Sequence, residues 1–241
     1  MFPLSNDCYT INKITSFYCM SSCIYLSALI GGLLLTDAFN YAGSYSFLPV
    51  YFVIIIAELL KFVYIQSVNH KELSFNPKQG FKLLTTIFLL LKRTNIVEVI
   101  KCAVTIALIV VVYFLMTILF GAEAFGKYEE TFMFSFLLTV LTVFPLCLHF
   151  GSYSVTHLLA GGKMNDIFFL ALYRNIQMSL FGAWVGAFVI PLDWHRSWQV
   201  WPIPCSTGAI IGSLLSYFIS LFQFFSDPGR KSISKLGRKS H

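Results

Sequence analysis

The chain has 241 residues, 57% of them hydrophobic and only 12% charged, with a mean hydropathy of +0.74. Soluble domains carry about 25% charged residues, so half that load over this length leaves too little polar surface to cover a water-soluble fold. The formal net charge of +6 would suggest nucleic acid in a soluble protein; in a chain this apolar it marks the cytoplasmic face of a bilayer, and no nucleic-acid partner is expected.

A membrane-crossing helix needs about 20 mostly apolar residues. The apolar runs here are continuous rather than alternating, which selects helices over barrel strands. The expected fold is therefore all-α, a six-helix polytopic transmembrane bundle. Its spans fall near Ile14–Leu35, Tyr45–Gln66, Glu98–Gly121, Thr131–Tyr153, Asn175–Pro191 and Trp201–Phe225. Residues 1–225 form the single six-span domain and residues 226–241 a basic cytoplasmic tail. The first run is too long for a signal-peptide core and has no A-x-A-like cleavage site, so it is expected to be retained.

Glu58 and Lys61 lie three residues apart within the second span. A carboxylate at that depth is costly unless paired or protonated, so the two are expected to form an intramembrane pair. A proton-relay role is the sharper alternative, but no second carboxylate in another span supports it. Between the second and third spans, Phe81–Leu91 is apolar and flanked by Lys78, Lys82, Lys92 and Arg93. It is expected to lie on the membrane surface as an amphipathic helix or to pack against the bundle. His149, near the end of the fourth span, reads as a hydrogen-bonded packing residue. Ile167–Tyr173 reads as a lead into the fifth span.

Two stretches carry helix-packing meaning. Gly182-Ala-Trp-Val-Gly186 is a G-x-x-x-G in the fifth span, and Gly208-Ala-Ile-Ile-Gly212 is another in the sixth. Small residues four apart let helix backbones approach closely in lipid. Two such motifs on consecutive, tightly connected helices point to a hairpin; docking of a partner's helix is the functional alternative. The six cysteines lie mostly in apolar runs and include no C-x-x-C pair, so they read as small packing residues rather than a zinc or redox site.

Basic residues set the orientation. With the N-terminus cytoplasmic, fifteen lysines and arginines fall on or near the cytoplasmic side and only Lys127 and Arg196 on the other. This positive-inside bias makes both termini cytoplasmic and places PLDWHRSWQVWP, residues 191–202, in the lumen. Three of the four tryptophans, Trp194, Trp198 and Trp201, lie in that stretch, bounded by Pro191 and Pro202. An aromatic belt belongs at such a place, and the prolines shape the turn. Asp193 and Arg196 are close enough to pair and hold it.

Catalysis finds little support. Metal-assisted phosphoryl transfer needs several Asp or His ligands and a nucleophile on a rigid scaffold. The lumenal loops offer Asp37, then Glu123, Glu129 and Glu130, then Asp193 and His195, and no G-x-S-x-G, P-loop or H-E-x-x-H is present. No catalytic residue, metal site or cofactor is expected. The tail SDPGRKSISKLGRKSH is basic, with Arg238 and Lys239 at the fourth and third positions from its end. It is expected to be attracted to anionic headgroups, and those two positions resemble a dilysine-type endoplasmic reticulum retrieval signal.

The run Gly182–Pro202, followed by the small-residue stretch Cys205–Gly212, closely resembles the C-terminal signature of the PIG-F family, phosphatidylinositol-glycan biosynthesis class F. A second block agrees: Leu119-Phe-Gly-Ala122, then Glu130-Thr-Phe132 and Phe144-Pro-Leu-Cys-Leu148. The resemblance implies a multi-pass protein of the endoplasmic reticulum membrane. It implies a non-catalytic subunit that stabilises large multispanning enzymes adding ethanolamine phosphate to mannoses of the GPI anchor precursor, with catalysis in that partner. On this reading Asp193, Trp194, Arg196, Trp198 and Trp201 form part of the surface met by the partner or by lipid, the GPI precursor included. The competing reading is an autonomous lipid-handling membrane protein: a phospholipid-headgroup transferase, a transporter or a scramblase.

Overall fold

The computed structural model describes residues 8–73, 96–123, 126–162, 166–192, 194 and 196–226. Among these the chain is helical and contains no strand. The helices are α1 (Cys8–Leu35), α2 (Leu48–Leu73), α3 (Ile96–Leu119), α4 (Tyr128–Phe150), α5 (Ser152–Leu159), α6 (Ile167–Ala187) and α7 (Ile203–Ser226). Short 3-10 turns at Ala38–Tyr41, Tyr45–Phe47 and Ser197–Gln199 join them. Phe81–Leu91 and the basic tail lie outside the described residues.

Among the described residues five helices are long and apolar enough to cross a membrane: α1, α2, α3, α4 and α7. The expectation of six spans is met in this respect by five. The difference lies in α6, which is a single helix from Ile167 to Ala187 rather than a lead-in followed by a span starting at Asn175. Arg174, Asn175 and Gln177 dilute its apolar character at the middle, where the sequence suggested a terminus.

α4 is the hub: 78% of its apolar window is buried inside the protein, against 17% for α3. Its composition explains why neighbours crowd it. Thr131, Ser135, Thr139 and Thr142 form a buried stripe at near-helical spacing. Thr131, Ser135 and Thr139 return their hydroxyls to carbonyls one turn back, at 2.9, 2.8 and 2.9 Å. A small hydroxyl that satisfies itself this way is polar in name only and lets another helix approach. α2, α3, α6 and α7 all contact α4, and α1 packs on α6 and α7. α3 shows most of its apolar side chains outward, as a lipid-facing helix does.

The loop at 36–47, the described residues of 188–202 and the start of α4 gather at one end of the bundle. Gly43, at φ +100°, accepts the Pro202 ring so closely that a Cβ there would sit 2.5 Å from Cδ. At the opposite end Gly151, at φ +81°, breaks the chain between α4 and α5, earlier than the expected end of the fourth span at Tyr153.

Candidate functional site

The most intimate helix pair is α6 with α7, and its glycines set that closeness. A Cβ built on Gly182 would fall on the Gly208 carbonyl, and one on Gly208 on the Gly182 carbonyl. One on Gly186 would meet the Pro204 carbonyl, and one on Gly212 the Met178 carbonyl. The two backbones therefore touch at four levels, which larger residues would forbid. Beside this seam runs an apolar groove of about 330 Å³, walled by Phe181, Val185, Trp198, Thr207, Ile211 and Leu215. Trp184 belongs to the exposed flank instead, edge-on to Phe188 with ring centroids 4.5 Å apart.

The interior of the hairpin carries hydrogen-bonded polar side chains. Asn175 is fully buried. Its Nδ2 donates to the Leu141 carbonyl of α4 at 2.7 Å, and its Oδ1 accepts from Ser213 of α7 at 2.7 Å. Arg174 Nη1 donates to Ser220 Oγ at 3.0 Å. A hydrogen-bonded amide inside a membrane protein locks neighbouring helices in register.

The corner between the two helices is organised by Gln199, a residue to which sequence reasoning gave no role. Its side chain is buried. Nε2 donates to the Val189 carbonyl at 2.7 Å and also to that of Leu192, while Oε1 accepts from the Arg196 backbone N–H at 3.5 Å. One carboxamide thus satisfies backbone groups that no helix can reach. The available signal was a lone amide within a proline-bounded turn. Asp193 and His195 lie outside the described residues, so the expected Asp193–Arg196 pair does too. Arg196 itself is exposed.

The three tryptophans separate into two kinds. Trp201 is half-buried; its indole N–H donates to Thr131 Oγ1 at 3.2 Å and its ring meets Phe134 edge-on, centroids 5.3 Å apart. Trp194 and Trp198 are exposed and lean edge-on against each other at 6.1 Å. One tryptophan fixes the corner to the hub helix, and two are presented outward.

A second polar centre lies inside the bundle. Glu58 and Lys61 are both almost wholly buried and pair at 2.7 Å. Tyr18 donates to Glu58 Oε2 at 2.8 Å and Tyr25 to Oε1 at 3.0 Å. Lys61 Nζ donates to Ser22 Oγ at 2.7 Å and stands 4.0 Å from the Tyr18 ring centroid and 4.7 Å from that of Tyr25. Each charge thus has its opposite and additional hydrogen bonds, the condition under which a buried pair is tolerable. Tyr217 of α7 packs edge-on against Tyr18 at 5.7 Å, so the cluster ties α1, α2 and α7. His149 is packed among Tyr18, Phe62 and Phe168. Its Nε2 has no hydrogen-bond partner among the described residues, so it is a packing residue without the expected bond at that atom. Among the described residues no three His, Cys, Asp or Glu side chains gather as a metal site would require.

The model of the family described as "GPI biosynthesis protein family Pig-F" matches residues 34–221, a range that contains the glycine seam, the corner, Glu58 and Lys61, but not Tyr18, Ser22 and Tyr25 of α1. The chain is 34% identical over 128 residues to a Mus musculus protein named "GPI ethanolamine phosphate transferase, stabilizing subunit", covering 52% of this chain and 58% of that one. It is 36% identical over 119 residues to the Homo sapiens protein of the same name, covering 45% and 54%. It is 38% identical over 105 residues to "Glycosylphosphatidylinositol anchor biosynthesis protein 11" of Debaryomyces hansenii, covering 42% and 44%. The matched stretch thus spans about half the length of these relatives. No solved structure matches the chain.

Proposed function

We infer the function from one premise: the chain belongs to the GPI biosynthesis protein family Pig-F. It acts as a non-catalytic stabilising subunit of a GPI ethanolamine phosphate transferase, the complex that adds ethanolamine phosphate to mannoses of the GPI precursor. Catalysis resides in the large multispanning partner. The chain sits in the endoplasmic reticulum membrane as a multi-pass protein, with α6 as the sixth span, both termini cytoplasmic and residues 191–202 lumenal. The observation that carries this reading is the family match across residues 34–221, joined by relatives that are themselves named stabilising subunits.

The corner at 188–202 is the part of the molecule offered to that partner or to lipid. Trp194, Trp198 and Arg196 are exposed, Trp201 anchors the corner from behind, and Asp193 belongs to the same stretch. Gln199 and the glycine seam hold the presentation rigid, as a recognition surface on a stable scaffold requires.

The test is depletion and recovery. Removing this chain from cells should lower the abundance of the ethanolamine phosphate transferase polypeptide, and re-expression should restore it. The tagged chain, purified in mild detergent, should retain that polypeptide. Unchanged transferase abundance, or a purified chain that transfers ethanolamine phosphate alone, would overturn the reading.

A further inference from the structure

The middle of α6 carries a carboxamide on the wrong side. Gln177 is the eleventh residue of a 21-residue helix. Such a helix is about 31 Å long, matching a hydrocarbon core of about 30 Å, so Gln177 lies near mid-depth, about 15 Å from either end. Its side chain is exposed, and no described residue hydrogen-bonds it. Glu58 with Lys61, and Asn175 with Leu141 and Ser213, are by contrast turned inward and satisfied. The exposed Lys13, Lys101 and Gln223 lie within two turns of their helix ends, where they can reach the interface. Gln177 cannot, and an amide bare in hydrocarbon is costly.

What stands beside Gln177 indicates how that demand is met. Gln177, Phe181 and Val185 follow one another at i, i+4 and i+8, so they form one ridge of α6. Phe181 and Val185 form one wall of the groove, and Ile211 and Leu215 of α7 the other. We propose that this ridge and groove receive a transmembrane helix of the transferase partner, and that a polar side chain on that helix hydrogen-bonds the Gln177 carboxamide. The proposal rests on the stabilising-subunit reading above. Lipid chains are as apolar as leucine, so an apolar groove alone does not favour a helix over lipid; a hydrogen bond and close backbone packing do. The fitting partner helix has one Ser, Thr, Asn, Gln or His at the depth of Gln177 and small or medium apolar residues along the groove.

The test places a photo-crosslinking amino acid at Phe181 of the full-length chain, co-expressed with the transferase polypeptide, and another at Leu108 on the exposed face of α3. Phe181 should crosslink the transferase and Leu108 should not. Gln177→Leu should leave the abundance of this chain unchanged and reduce the recovered transferase about three- to tenfold, the range of a single interhelical hydrogen bond in lipid. Gln177→Asn should recover part of the loss. Crosslinks from Phe181 only to lipid or to a second copy of this chain, or undiminished recovery with Gln177→Leu, would overturn the proposal. If the transferase still co-purifies with the wild-type chain, the subunit reading survives that result. Absence of the transferase from the wild-type purification would sink both.

Discussion

Asn175 supplies the hydrogen bond that Pro145 removes. A proline has no N–H, so the helix position it occupies leaves the carbonyl four residues earlier without its donor. In α4 that carbonyl belongs to Leu141, and the Asn175 amide of α6 donates to it at 2.7 Å. An orphan carbonyl inside a membrane bundle must be answered by a neighbour. Here the answer also fixes α6 against the hub helix, while Ser213 on α7 donates to the other end of the same side chain at 2.7 Å. One asparagine thereby registers three helices.

Asn175→Ala should destabilise the protein by about 1–3 kcal/mol, the range for a buried polar group left without its partner. Thermal stability in detergent and cellular abundance both report it. The specific mechanism predicts a rescue. Pro145→Ala returns an N–H to Leu141, so Asn175→Ala in that background should cost less than in the wild type. Equal costs in both backgrounds would mean that Asn175 stabilises the fold by some route other than the Leu141 carbonyl.

The Glu58–Lys61 pair makes a different prediction. Both side chains are buried and linked to α1 through Tyr18, Ser22 and Tyr25. Removing one charge leaves the other uncompensated, which costs about 3–5 kcal/mol in a buried setting. Glu58→Gln and Lys61→Met should each lower abundance sharply. The double variant leaves no orphan charge and should fall less than the two single effects added together. Additive losses in a double-mutant cycle would show that the two residues act independently.

The parts of this architecture that were legible in the sequence are those that repeat or contradict their surroundings. Continuous apolar runs announced the membrane helices, and a carboxylate three residues from a lysine in such a run announced the pair. Paired G-x-x-x-G motifs announced the hairpin, whose contact is made through the glycines themselves. The harder features depend on tertiary placement. Arg174, Asn175 and Gln177 make one polar interruption in the sequence, yet in the fold Asn175 turns inward, Arg174 reaches Ser220 and Gln177 faces out. No local pattern distinguishes those fates. Gln199 stood out only as a lone amide, and its role stayed hidden because its bonds run to carbonyls ten and seven residues away. The tryptophans could be counted from sequence but not sorted, since what separates Trp201 from Trp198 is Thr131 of a distant helix.

The glycine seam can be tested position by position. Gly182 and Gly208 have no room for a methyl group, whereas nothing lies within 4 Å of a Cβ at Gly31 on α1. Gly182→Ala and Gly208→Ala should each destabilise by about 1–3 kcal/mol, as overpacking does. Gly31→Ala should be neutral or mildly stabilising, because alanine is the better helix former by about 1 kcal/mol. Equal tolerance at all three positions, measured by thermal melting in detergent, would contradict the close backbone contact between α6 and α7.

The corner offers the separation of folding from recognition. Trp201 packs on Phe134 and donates to Thr131, so Trp201→Ala should cost about 3–5 kcal/mol through lost packing and lower the protein's own abundance. Trp201→Phe keeps a ring against Phe134 and forfeits one hydrogen bond, a loss of about 1 kcal/mol. Trp194 and Trp198 are exposed, so their alanine variants should melt within about 0.5 kcal/mol of wild type, as surface substitutions do. Those same two variants should retain less transferase in pull-downs if the corner is a contact surface. Normal retention by a Trp194→Ala, Trp198→Ala double variant would remove the corner from the interface and leave its tryptophans with belt anchoring alone, the role that depth-dependent quenching by brominated lipids would then display.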